Sequence, residues 1–191
     1  MSNEAWHVFS ERVAWDFRFH ATCEAADRPD PAALALINDR NASVLVAVSA
    51  LMDKRSDSTE DDSPLTQEVA RLDAKLNVLM EIVNRLLLPQ SGLPPRIPVR
   101  FNGAGAALSS ASLPPVGHPV LLKLHFDACR ALPLELPGLR LAGPDDASGF
   151  IAFEGLTEAV REGIERLVFR QHRRQVAEAR AHARPLDASG E

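Results

Sequence analysis

Arg96 and Arg100 stand four residues apart in Arg96-Ile-Pro-Val-Arg100. Guanidinium groups present forked N–H donors that match the oxygens of phosphates. Two of them gripping one anion must converge. On an extended strand, positions i and i+4 share a face but lie about 13 Å apart, so this pair reads as exposed strand arginines. Gly103-Ala-Gly105-Ala-Ala-Leu108 is a partial dinucleotide fingerprint without its third glycine. Ser-Ser-Ala-Ser-Leu-Pro-Pro follows it where a phosphate-cradling helix should start, so it reads as a turn or bulge. The histidines (7, 20, 118, 125, 172 and 182) keep no metal-ligand spacing, and His20 with Cys23 would make only half a site. Asp57 to Asp62 is acidic but lacks the ligand spacing and central glycine of a calcium loop. No Gly-x-Ser-x-Gly or Cys/His nucleophile arrangement occurs. The expectation is no catalytic residues, no metal and no cofactor; the chain is not read as an enzyme.

Bulk charge narrows the partners. The 191 residues are 46% hydrophobic and 25% charged, enough to bury a core. Lys and Arg number 21 against 26 acidic residues, a formal charge of −5. Nucleic-acid binding runs on excess Lys and Arg, so no nucleic-acid partner is expected. The basic stretch near residues 161–174 is interrupted by Glu162 and Glu165 and reads as a solvated helix face. The apolar stretch Ala42–Met52 has 11 residues, short of the about 20 that span a bilayer, so no membrane insertion is expected. Without an export-type N-terminus, and with only Cys23 and Cys129, a reduced cytoplasmic setting is the expectation.

The elements that must position these residues follow from the aromatics. Five of ten (Trp6, Phe9, Trp15, Phe17 and Phe19) lie in the first 19 residues, and none lies between Phe19 and Phe101. Rings dominate compact cores, so the two ends build one domain and the middle is a helical insertion. Val13 to Phe19 alternates with period two, as a half-buried strand does. Asp30-Pro31 and Ser63-Pro64 each give a cap followed by proline at the first helical position. The first helix places Leu34, Ile37, Val44, Val48 and Leu51 on one stripe. Asn41 lies within that stripe, either to set register or to face solvent. From Arg96 to Phe153, short alternating runs punctuated by glycines predict the strands of a small closed antiparallel barrel. A last helix near Thr157 buries Val160, Ile164, Leu167 and Val168, with Arg161, Arg166, Arg170, Arg173 and Arg174 outward.

The second insertion helix carries the most specific pattern. Leu65, Val69, Leu72, Leu76, Leu79, Val83 and Leu86 follow spacings of 4-3-4-3-4-3, an unbroken heptad seam. A parallel dimer would set Glu68 at g against Asp73 at e of its partner, and like charges there oppose pairing. Met80 and Leu87 at e and Ile82 at g widen the apolar face, which more than two strands would cover. The seam is read as an oligomerisation surface for more than two chains, with three or four strands covering it. The alternative is a helix packed on its own domain.

The second half resembles a PilZ domain, the six-stranded barrel with which bacteria sense cyclic di-GMP. Val99 to Leu108 is similar to the family strand that ends in Ser-x-x-Gly. Leu113 to Leu124 is similar to its Gly-turn and following strand. Gly149 to Leu156, leading into Ile164 to Arg174, is similar to its closing strand and helix. The heptad-bearing insertion is similar to an atypical subgroup that assembles as tetramers. The resemblance implies α+β architecture, mainly β: a six-stranded PilZ-like barrel, a C-terminal helix and a two-helix insertion whose second helix is a coiled coil. The barrel domain is read as 1–29 with 92–178, the insertion as 30–91 with its heptad helix at 64–88, and the tail as 179–191.

Family ligand binding rests on Arg-x-x-x-Arg ahead of the barrel and on Asp/Asn-x-Ser-x-x-Gly. With Gly105 as the motif glycine, Asn102 stands where Ser belongs and Arg100 where Asp/Asn belongs, so only the glycine matches. Arg96 and Arg100 satisfy the first motif but overlap the second instead of preceding it. The expectation is therefore a bacterial regulatory or adaptor protein that acts through an unidentified regulatory protein in motility or virulence control, without binding cyclic di-GMP itself. The alternative is a genuine cyclic di-GMP receptor using Arg96, Arg100 and Asn102.

Overall fold

In the computed structural model of the chain, residues 2–53, 64–87 and 92–182 are described. The chain runs α1 (Ser2–Ser10), β1 (Trp15–Ala25), α2 (Pro31–Asp53), α3 (Pro64–Leu87), β2 (Arg96–Phe101), β3 (Gly105–Ser109), a 3₁₀ turn (Ser110–Ser112), β4 (Pro119–Phe126), β5 (Cys129–Ala142), β6 (Ser148–Phe153) and α4 (Glu158–His182). The strands close an antiparallel barrel in the order β1-β2-β3-β6-β5-β4. This is the six-stranded, mainly-sheet architecture expected from the alternating runs. Leu88, the acidic stretch Asp57–Asp62 and tail residues 183–191, which entered the sequence reading, lie outside the described residues.

Alternation fixes what fills the barrel. Trp15 and Phe19 from β1 meet Phe101 and Phe126 inside it, with ring centroids 4.9 to 6.5 Å apart. Leu122 and Leu124 of β4 and Leu134 and Leu136 of β5 complete that core. Gly105 and Gly138 lie where a Cβ would meet the carbonyl oxygens of Ile151 and Ala152 at 2.4 and 2.5 Å, so only glycine lets neighbouring strands approach. Phe150, next to the inward Ile151, points outward and is covered by Trp6 and Phe9 of α1, centroids 5.3 and 5.1 Å away. The early aromatics thus serve both sides of the barrel wall. The helix α1 itself was not foreseen, although Glu4 in its first turn and His7 in its last suit a helix.

Helix α2 begins as its sequence dictates, with the Asp30 carboxylate accepting from the Ala33 N–H at 2.8 Å. Its length and apolar composition reach those of a membrane span. Here one face, Val44, Leu45 and Val48, joins the same core as the barrel and α4. Asn41 is fully buried against β5, so it neither sets an oligomer register nor faces water. Asn38 is also buried; it donates to the Leu34 and Gly155 carbonyls and accepts from the Thr157 N–H that opens α4. On α4, Val160, Ile164, Leu167 and Val168 are buried as expected. Arg161 and Arg170 depart from the outward reading. They reach back to the carbonyls of Gly103 (2.9 Å) and Ser49 (3.2 Å), stitching α4 to the barrel and to α2.

Candidate functional site

Helix α3 displays the heptad seam along its length. Val69, Leu72, Leu76, Leu79, Val83 and Leu86 are all exposed, from 41% for Val83 to 78% for Leu86. Ile82, at g, widens the same apolar surface and is 49% exposed. Leu65 begins the seam within the helix, but its side chain, like those of Met80 and Leu87, lies outside the described set. A globular helix normally turns such a stripe inward. Although α3 meets β5, its seam stays in solvent within one chain. Covering each such aliphatic side chain would contribute about 1.5–3 kcal/mol before entropic costs, so these seven form a strong association surface.

The arginines expected on strand β2 lie on the outer barrel face. Arg96 and Arg100 line a shallow groove of about 620 Å³ with Asp16, Phe17 and Arg18. Each guanidinium nitrogen of Arg96 has one partner within the protein. Its Nε donates to His20 Nε2 at 3.1 Å, its Nη1 to the Arg18 carbonyl at 3.1 Å and its Nη2 to the Asp127 carboxylate. Arg100 lies 3.9 Å from the Asp16 carboxylate and stacks over the Phe9 ring at 5.8 Å. Asn102 does not join them. It is buried, donates to the Phe9 carbonyl at 3.0 Å and accepts from the Ala104 N–H at 2.9 Å, so it pins α1 and shapes the β2–β3 turn. Arg96 and Arg100 therefore share a surface, whereas Asn102 faces the interior.

Other reactive side chains are held inert or structural. Cys23 and Cys129 are unpaired thiols. Burial pushes Cys23 up to about 11, with Arg140 only partly offsetting it, and burial likewise raises Cys129. Arg140 is an inward residue of β5 whose ionisation is lowered by desolvation. It donates to Ser110 Oγ at 3.1 Å, while Nε and Nη1 have no partner. Among the described residues, no group of three His, Cys, Asp or Glu side chains is placed to hold a metal ion. Asn38, the anchoring roles of Asn41 and Asn102, and the His20–Arg96–Asp127 cluster escaped the sequence reading. A buried Asn in an apolar stripe was the one signal available for the first group.

Comparison with known proteins matches this architecture. A solved structure of a pathogenic protein from Xanthomonas campestris, described as a new tetrameric PilZ domain self-assembled via an unusual helical bundle, superposes with a TM-score of 0.70 at 25% identity. The match covers 92% of this chain and 97% of that one. No curated protein sequence matches. The family model for the atypical PilZ domain, a cyclic di-GMP receptor, matches residues 45–181. With its closed six-stranded barrel and that match, the chain belongs to the atypical PilZ domain family.

Proposed function

We propose that this chain is a non-enzymatic, cytoplasmic regulatory adaptor that self-assembles through α3 as a tetramer and acts by binding another protein. The observation that carries the reading is the row of exposed seam residues from Val69 to Leu86 on one helix. A coiled-coil bundle of sister helices is the arrangement that dries such a seam. The tetrameric, helical-bundle assembly of the Xanthomonas campestris protein supports four strands over two. Free cysteines suit a reducing compartment. That neighbour's description as a pathogenic protein supports a place in virulence control, with motility implied by family analogy alone.

Cyclic di-GMP is not expected to bind tightly. A phosphate needs donors that are not already committed, whereas Arg96 is held by His20, Asp127 and a carbonyl, and Asn102 is buried. The receptor reading keeps one specific support: Arg96 and Arg100 line one groove in a family described as a cyclic di-GMP receptor. Calorimetric titration with cyclic di-GMP decides between them. The adaptor reading expects no saturable binding at micromolar Kd, a free energy of about −8 kcal/mol; saturation there, abolished by Arg96→Ala, would establish the receptor instead.

A further inference from the structure

His20 sits on β1 with both ring nitrogens committed. Nδ1 lies 2.6 Å from the Pro94 carbonyl, which can only accept, so Nδ1 carries the hydrogen. Nε2 receives the Arg96 Nε–H at 3.1 Å, so it must be the bare acceptor nitrogen. The hydrogen-bond pattern therefore requires neutral imidazole in one tautomer. Pro94 belongs to the segment between α3 and β2, and the neighbouring Pro95 carbonyl accepts from the Ala21 N–H at 3.4 Å. One side chain thus links that segment to the arginine of the groove.

We propose that His20 is a proton-operated latch on Arg96. Imidazoles change charge between about pH 5 and 8. A proton arriving at Nε2 turns the acceptor into a donor and sets it against the Arg96 N–H. That bond is lost, and two cations then share the site.

The surrounding charges decide which way the conflict resolves. From β1 itself Arg18 faces the cluster, and from β2 Arg96 does. From β4, His125 is the direct cross-strand partner of His20, and its Nδ1 donates to the Arg130 carbonyl at 2.8 Å. Lys123 lies opposite Thr22, two pairs further along β4. Asp127, in the turn after β4, answers both Arg96 and Arg130, the latter from β5 at 3.7 Å. A single carboxylate therefore serves several cations, and adding charge on His20 and His125 exceeds what Asp127 can neutralise. Arg96 is the member bordering open groove, beside Arg18 and Arg100. Acidification releases its guanidinium outward and makes the groove more cationic, while the Nδ1–H bond to Pro94 persists.

The test is nuclear magnetic resonance of the ¹⁵N-labelled full chain, following the Arg96 Nε–H, assigned with R96K, and the carbon-bound ring protons of His20. As the pH is lowered, the Arg96 Nε–H signal should change in step with protonation of the His20 ring. At the acid end the Arg96 Nε–H should exchange about tenfold faster than in His20→Gln, whose amide can donate to Pro94 and accept from Arg96 at every pH, as expected for losing one hydrogen bond to a charged group. A protected Arg96 Nε–H while the wild-type His20 ring is protonated would overturn the latch, even if His20→Gln failed to fold. Equal loss in His20→Gln would assign the effect to His125 or Asp127 and overturn it as well.

Discussion

Asn41, in the middle of α2, hydrogen-bonds both backbone groups of Glu135 on β5. Its amide donates to the Glu135 carbonyl at 2.6 Å, and its Oδ1 accepts from the Glu135 N–H at 2.9 Å. Helix α2 is thus docked on the barrel wall, and its residue Val48 shares a core with Ile164 of α4. Asn41→Leu would leave a buried N–H and a buried carbonyl without partners, at about 1–3 kcal/mol each. The expected result is a loss of about 2–5 kcal/mol in urea unfolding with the oligomer mass unchanged.

Asn102→Ala removes the donor to the Phe9 carbonyl and the acceptor for the Ala104 N–H. Loosening of α1 should expose Trp6, which rests against Phe150. A red shift of tryptophan emission and a loss of about 1–3 kcal/mol are expected. An unchanged spectrum would show that α1 is held by ring packing alone.

Arg140→Met should raise stability. The wild-type guanidinium is buried with two nitrogens unpartnered, and its one bond goes to a neutral hydroxyl. An apolar side chain of similar length removes the desolvation cost, so a gain of about 1–3 kcal/mol is expected. A lower denaturation midpoint would mean that Arg140 is stabilised by more than Ser110.

Cys23 should resist alkylation. A thiol pushed from 9.0 to about 11 by burial holds about a hundredfold less thiolate at neutral pH than an ordinary one. The sign for stability follows: the unfolded thiol ionises first, so its contribution is present below pH 9.0 and fades as pH rises through about 11. Iodoacetamide labelling at constant thiol concentration should track unfolding by urea. Rapid labelling of the native chain would contradict the burial.

The barrel was legible because its signals are local. Alternation from Val120 to Phe126 specifies a strand without knowledge of its partner, whereas Gly105, read as part of a turn or bulge, opens β3. The caps at Asp30 and Thr157 are equally local; Thr157 Oγ1 accepts from the Val160 N–H at 3.4 Å. What stayed hidden depends on contacts between residues far apart in the chain. Asn41 meets Glu135 across 94 positions, and Arg96 meets His20 across 76, so no spacing announces either. Arg161 and Arg170 lie on opposite sides of α4, and only the docked neighbours, the β2–β3 turn and α2, engage them. The seam lies between these cases: its heptads are plain in sequence, while the sister chain proposed to cover it is not.

That occupant is the centre of the account, and sedimentation equilibrium of the wild type beside a Leu72→Asp, Leu79→Asp variant tests it most directly. The wild type should sediment at about four times the 20.8 kDa chain mass. The variant should sediment as a single chain and retain the β-sheet circular dichroism of the barrel. A wild type that sediments as one chain, or a variant whose mass does not fall, would contradict assembly through α3.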